Sequence, residues 1–115
     1  MALLVVEDEY LILEFICAEV TEAGIEALSA SNADAAVRML EANSAITTLI
    51  TDINMPGSMD GLQLAALVNQ RWPGIRIVIT SGRGKPSSSE MPRGALFLAK
   101  PFLPRQIADA VARMT

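Results

Sequence analysis

The chain has 115 residues, 51% of them hydrophobic and 19% charged, with a formal net charge of −4 and one cysteine. This length gives one domain with a single core, the apolar content excludes a disordered chain, and the acidic balance argues against general nucleic-acid binding. Cys17 alone excludes an internal disulfide and fits a reducing compartment; with no apolar run near the roughly 18 residues that span a bilayer, and an N-terminus "MALLVVEDE" too short and too quickly acidic for a secretory leader, the expectation is a soluble cytoplasmic protein, not a membrane one.

Taken in chain order, "ALLVV" (Ala2 to Val6) reads as a first strand. A helix is predicted from about Tyr10 to Ala23, with Ile12, Phe15, Ile16 and Val20 on one face and Glu14, Glu19 and Glu22 outward. Cys17 is a small apolar filler on it. Gly24 stands where a helix C-cap belongs. "IEALSA" (Ile25 to Ala30) is a weaker second strand, and Ser31 and Asn32 are both N-cap candidates for a helix running to about Ala42. "AITTLIT" leads into Asp52 as the third strand, and Asp60 suits the N-cap of a helix over "GLQLAALVNQRW", stopped by Pro73-Gly74. "IRIVIT" (Ile75 to Thr80) is the fourth strand and "ALFLA" (Ala95 to Ala99) the fifth. Pro104 suits the first position of a last helix ending near Met114.

Apolar, β-branched strands alternating with helices predict a parallel sheet covered on both faces, a three-layer α/β fold. One segment breaks the alternation. "SGRGKPSSSEMPRG", between the fourth and fifth strands, holds two Pro, three consecutive Ser and three Gly. A full helix is not expected there; the prediction is a loop or at most a short, poorly ordered helix. Charge is also unevenly spread: residues 1–70 hold eleven acids against one base, and residues 71–115 eight bases against two acids. One face could hold a cation and the other meet a partner.

In an open parallel sheet, ligands bind beyond the carboxyl ends of the strands, so the residues just after each strand matter most. Glu7, Asp8 and Glu9 follow the first strand, Asp52 ends the third, Thr80 ends the fourth and is followed by Ser81, and Lys100 follows the fifth. Taken singly, an acid after a strand is often a helix cap, and a lone Lys or Thr means little. Taken jointly, they converge on one edge. Glu7, Asp8 and Asp52 gathered there would repel one another, and the repulsion is relieved by protonating one of them or by binding a hard cation such as magnesium. Lys100 opposite Asp52 adds a fixed positive charge. Cation and ammonium together would stabilise a phosphoryl group moving onto a carboxylate oxygen, with Asp52 as nucleophile and Thr80 bonding a phosphoryl oxygen.

"VVEDE", "DINMPGSMDG", "VITSG" and "AKPF" together resemble the receiver domain of two-component response regulators along almost the whole chain, 1–115. The resemblance implies a flavodoxin-like (βα)5 fold with strand order 2-1-3-4-5 and Asp52 as phosphoacceptor. It implies a magnesium site of Asp8 and Asp52 with Glu7 through water and the Asn54 carbonyl, Thr80 as switch hydroxyl, Lys100 as the phosphate-contacting ammonium and Phe97 as switch aromatic. It also implies a signalling module, not an enzyme, that accepts its phosphoryl group from a histidine kinase or histidine phosphotransfer protein. A downstream protein partner or output domain, and a possible homodimer, would read a face around Arg83, Lys85, Arg93, Arg105 and Arg113. In three places the chain departs from the common pattern: the turn "MPGSMDG" is one residue longer and carries Ser58, the switch aromatic is Phe rather than Tyr, and the fourth-helix region is short, so its change of shape would be disorder to order. Two alternatives stand beside this reading: a haloacid dehalogenase-type aspartyl-phosphate phosphatase, which wants an acid where this chain has Asn54, and a receiver-like binding module that is never phosphorylated. The Met1 start favours an N-terminal or free-standing receiver over an internal fragment.

Overall fold

The structure is a computed structural model and describes residues 2–113. Its elements are β1 (Ala2–Val6), α1 (Tyr10–Glu22), β2 (Glu26–Ala30), α2 (Ala33–Ala42), β3 (Ile46–Asp52), α3 (Gly61–Arg71), β4 (Arg76–Ser81), β5 (Leu96–Ala99) and α4 (Pro104–Arg113). The five strands form one parallel sheet in the order β2-β1-β3-β4-β5. The flavodoxin-like expectation therefore holds, with one helix fewer. The expected end of the last helix at Met114 lies outside the described residues.

Strand alternation sorts the core into two clusters. Leu4, Val6, Leu49, Ile77 and Ile79 face one way and pack on Ala36 and Leu40 of α2 and Leu64 and Val68 of α3. Leu3, Val5, Ile50 and Val78 face the other way and pack on Leu13, Ile16 and Val20 of α1 and Ile107, Ala110 and Val111 of α4. This is why β1 and β3 read as unbroken apolar runs: both of their faces are covered. Cys17 is half-buried against the second cluster, and burial pushes its thiol up.

Local chemistry sets the element ends. Asn32, not Ser31, caps α2, its side chain accepting from the Ala35 N–H at 2.8 Å. Asp60 and Gln63 form a reciprocal capping box at α3, with bonds of 2.8 and 2.9 Å. Gly24 ends α1 with a φ of +85°, a backbone conformation open to glycine. β4 starts at Arg76 because the Ile75 N–H is taken up in a turn, bonded to the Trp72 carbonyl at 3.0 Å. Trp72 caps the C-terminus of α3, with the Arg71 guanidinium over its ring at 4.4 Å.

Between β4 and β5 there is no helix among the described residues; a turn over residues 88–90 is followed by a second at residues 93–94, where the Ala95 N–H bonds the Pro92 carbonyl at 3.1 Å. The first turn begins as a helix would. The Glu90 N–H bonds the Ser87 carbonyl at 3.0 Å, and the Glu90 carboxylate reaches back to the Ser87 N–H at 3.0 Å. Pro92 stops it, because a residue before proline, here Met91, is pushed out of the helical region. Met91 packs against the sheet beside Ala95 and Phe97, where a helix face would otherwise lie.

Candidate phosphoryl-accepting site

Four strand ends meet at one edge of the sheet. Glu7 leaves β1 with its N–H on the Ala30 carbonyl at 3.1 Å and is only 1% exposed. Its carboxylate is held at both oxygens: Oε2 accepts the Glu9 N–H at 3.0 Å and Oε1 accepts Lys100 Nζ at 2.7 Å. Asp52, the last residue of β3, is 5% exposed, with Oδ1 at 3.3 Å from the same Nζ. Asp8 is exposed on the rim, and one carboxylate oxygen from each of Glu7, Asp8 and Asp52 lies within 4.8 Å of the others. Asp8 does not cap α1: the N-cap position is Glu9, and it makes no side-chain cap bond.

The electrostatics follow from that crowding. Burial pushes the Glu7 carboxyl above its ordinary range, the Asp52 charge adds to this, and the Lys100 hydrogen bond and the Glu9 N–H oppose it. Burial likewise raises Asp52, against the pull of Lys100. Burial alone would lower the Lys100 ammonium, but its bond to Glu7 and the Asp52 and Glu7 charges outweigh that and raise it. Three carboxylates facing one ammonium leave two formal negative charges uncompensated. An all-oxygen set with that charge fits a hard divalent cation of the magnesium class. Asn54 is exposed two residues beyond Asp52, and its carbonyl has no hydrogen-bond partner among the described residues, so it is free to join such a set.

Backbone packing fixes Asp52 in place. The Ile53 N–H bonds the Thr80 carbonyl at 3.0 Å and the Ile53 carbonyl accepts the Gly61 N–H at 2.8 Å. A Cβ on Gly61 would stand 2.8 Å from Ile53 Cα and collide with the Asp52 carbonyl, so only glycine lets α3 start this close to the acceptor. Further out, Ser58 Oγ donates to Asp34 Oδ1 at 2.8 Å, tying the β3–α3 loop to the first turn of α2.

The hydroxyl and the aromatic lie on neighbouring strands. Thr80 pairs in register with Asp52, but its hydroxyl points at the Thr51 carbonyl, 3.5 Å away. Phe97 sits opposite Ile79 and packs in the α2–α3 cluster, whereas Val78 faces the α1–α4 cluster. Alternation then puts Thr80 on the face away from Phe97 and Ser81 on the same face as Phe97. Ser81 is buried, its hydroxyl accepts the Arg83 N–H at 3.0 Å, and its carbonyl accepts the Lys100 N–H at 2.9 Å. Counting in twos from Ile77 and Ile79 gives the same face for Ser81, and these two bonds tie the end of β4 to the chain after it and to Lys100.

The model of the response regulator receiver domain matches residues 3–112. The chain belongs to that family. It is 35% identical to the response regulator protein FleR of Pseudomonas aeruginosa, over 96% of this chain but only 24% of FleR, so it spans about a quarter of that relative. It is 29% identical to the response regulator receiver protein CpdR of Brucella abortus, over 97% of this chain and 94% of CpdR. Among solved structures, a receiver protein from Sinorhizobium medicae superposes with a TM-score of 0.92 at 29% identity, covering 99% of this chain and 93% of that one. The receiver domain of NtrX from Brucella abortus gives 0.88 at 30% identity, covering 97% and 96%. The family is one of two-component signalling, and the phosphatase alternative draws no support from these matches. No helix among the described residues is long and apolar enough to cross a membrane.

Proposed function

We propose that this receiver accepts a phosphoryl group on Asp52 from the phosphohistidine of a histidine kinase or a histidine phosphotransfer protein. The observation that carries the reading is the buried Asp52 carboxylate, held 3.3 Å from the Lys100 ammonium beside Glu7 and Asp8. An Asp52 oxygen attacks phosphorus, the phosphorus–nitrogen bond breaks, and the imidazole leaves with the electron pair. Glu7, Asp8, Asp52 and the Asn54 carbonyl would hold magnesium, which when bound offsets the charge spread over the equatorial phosphoryl oxygens. Lys100 is oriented by Glu7 and meets the charge that arrives on Asp52. Hydrolysis of the acyl phosphate resets the site.

A protein donor fits the surroundings. A cleft of about 540 Å³ opens beside Lys100, lined by Leu11, Ile12, Phe15 and Phe102. At the same end of the molecule Tyr10, Leu11 and Leu103 are 69%, 80% and 63% exposed. Apolar side chains left in solvent beside a reacting carboxylate favour a macromolecular donor over a small phosphate ester.

The added charge biases a switch in which Phe97 responds to a hydroxyl at the end of β4. The register supports Thr80 for that hydroxyl, since it pairs with Asp52 across β3 and β4, while Ser81 faces the other way with its hydroxyl on the Arg83 N–H. The test is labelling by acetyl phosphate and by a phosphorylated kinase. Asp52→Asn should take no label. Thr80→Val should keep the label but lose the spectral change at Phe97, while Ser81→Ala keeps both. Turnover of an added phosphomonoester, or label retained in Asp52→Asn, would overturn the proposal.

A further inference from the structure

We propose that the outer edge of β5 accepts an added strand from an acidic, extended segment of a partner protein. β5 is the last strand of the sheet and pairs only with β4. The Lys100 N–H on the Ser81 carbonyl sets the phase of the ladder. Main-chain groups of Leu98 and Leu96 then turn inward to β4, and those of Phe97 and Ala99 turn outward. Among the described residues no helix or strand covers that edge: the crossover from β4 has only turns in place of a helix, and α4 packs on the α1 side of the sheet.

The edge is also unguarded by its own residues. Leu-Phe-Leu-Ala carries no charge, and none of the four is fully buried. The opposite edge strand, β2, is interrupted by Glu26 and Ser29, the polar blunting usual for an edge. At β5 the charges lie around the strand. Arg93 precedes it, Arg76 begins its neighbour, and Arg113 lines a groove of about 180 Å³ with Leu96 and Leu98. All three are exposed, and no ion pair holds any of them among the described residues. Asp109 is the one acid in that groove, and Glu90 in the crossover is engaged by Ser87.

These bases choose the occupant. A second copy pairing β5 against β5 would bring like charges together across the interface, which is unfavourable. An acidic strand gains main-chain bonds from Phe97 and Ala99 and charge complementarity from Arg76, Arg93 and Arg113, in the manner of strand addition. Pro101, just beyond the strand, confines the added pairing to the length of β5. The inference does not depend on phosphoryl chemistry at Asp52.

The probe is the peptide acetyl-Glu-Val-Glu-Val-Glu-Val-Glu-amide, titrated into the whole chain at low salt and followed by amide NMR and hydrogen exchange. Amide shifts should centre on Leu96 to Ala99, with slowed exchange at the Phe97 and Ala99 N–H groups. The doubly reversed variant Arg93→Glu, Arg113→Glu should bind about tenfold more weakly. A peptide N-methylated at its valines tests the main-chain bonds without altering the protein, and it should not bind. The idea fails if β5 is unperturbed, if the lysine-for-glutamate peptide binds equally well, if the methylated peptide binds as the parent does, or if the chain pairs with itself through β5 instead.

Discussion

Lys100 is bound more closely to Glu7 than to Asp52, at 2.7 against 3.3 Å. The ammonium is anchored on the residue that does not react and only leans toward the one that does. Its removal leaves two buried carboxylates without a counter-ion, which costs about 3–5 kcal/mol in a fully buried pair and somewhat less here, where the Lys100 side chain is 16% exposed. Lys100→Ala should therefore lower stability by roughly 2–4 kcal/mol in metal-free buffer. Magnesium should bind at least as well as in the parent, because a competing cation is gone, and should restore much of the loss. Urea melts with and without magnesium check this; a collapse of metal affinity would mean that Lys100 helps to build the cation site.

The acid cluster also fixes the direction of a pH effect. The folded-state pKa values of Glu7 and Asp52 lie above their ordinary 4.5 and 3.8. The folded state thus holds protons that the unfolded chain releases. The stability they contribute is fully present below those ordinary values and is lost as pH rises through the raised ones. Lys100, raised above 10.5, adds stability that is lost only at strongly alkaline pH. Without magnesium, the cluster's share of stability should fall from pH 4 toward neutrality, and Asp52→Asn should flatten that fall. With magnesium, which favours ionised carboxylates, the trend should weaken or reverse. Urea denaturation across pH in wild type and Asp52→Asn reads the difference.

The sheet and the acids were legible in the sequence because each had a single physical reason. An apolar run closed by a carboxylate, as at Asp52, means little alone, but Glu7, Asp8 and Lys100 at other ends of the same sheet give it a reason. Lys100 and Glu7 meet across 93 residues of chain, yet both could be placed from strand ends alone, since parallel strands deliver their C-termini to one edge. The hydroxyl was legible on the same grounds only as far as the end of β4. Thr80 and Ser81 are adjacent hydrogen-bonding residues there, and it takes the pairing of Thr80 with Asp52 to show which one stands beside the acceptor, and that of Ile79 with Phe97 to show which one shares the aromatic's face. The crossover was half legible: Pro and Ser argued against a helix, but the Ser87–Glu90 bonds that fold its first turn are an N-cap pattern lying inside a loop composition. The Ser58–Asp34 bond left no trace, being a contact between exposed polar residues with no periodicity behind it.

Gly61 offers a test in which propensity and packing oppose each other. Alanine at a helical position is ordinarily better than glycine by up to about 1 kcal/mol. Here the new methyl would run into the Asp52 carbonyl and crowd Ile53 Cα at 2.8 Å, and both are backbone. Packing should win. Gly61→Ala should destabilise by roughly 2 kcal/mol or more and slow labelling by acetyl phosphate, because the displaced segment carries Asp52. An equal or higher melting temperature with unchanged labelling would show that the β3–α3 junction yields freely.

The Ser58–Asp34 bond, at 2.8 Å and exposed, should matter less for stability than for the loop it holds. A single neutral-to-charged hydrogen bond at a surface contributes on the order of 1 kcal/mol, so Ser58→Ala and Asp34→Ala should each shift the melt only slightly. The loop between Asp52 and Asp60 carries the Asn54 carbonyl, and Ser58 is its tie to α2. Loosening that tie should weaken magnesium binding and shorten the lifetime of phosphorylated Asp52 by about two- to fivefold, a change of up to roughly 1 kcal/mol. Asp34→Asn retains an acceptor oxygen and should behave nearly as wild type. The double variant Ser58→Ala, Asp34→Ala should be no worse than either single one, since both remove the same bond. Dephosphorylation rates for the four variants decide it: additive losses, or an Asp34→Asn rate matching Asp34→Ala, would assign the effect to the Asp34 charge at the start of α2 rather than to the tie.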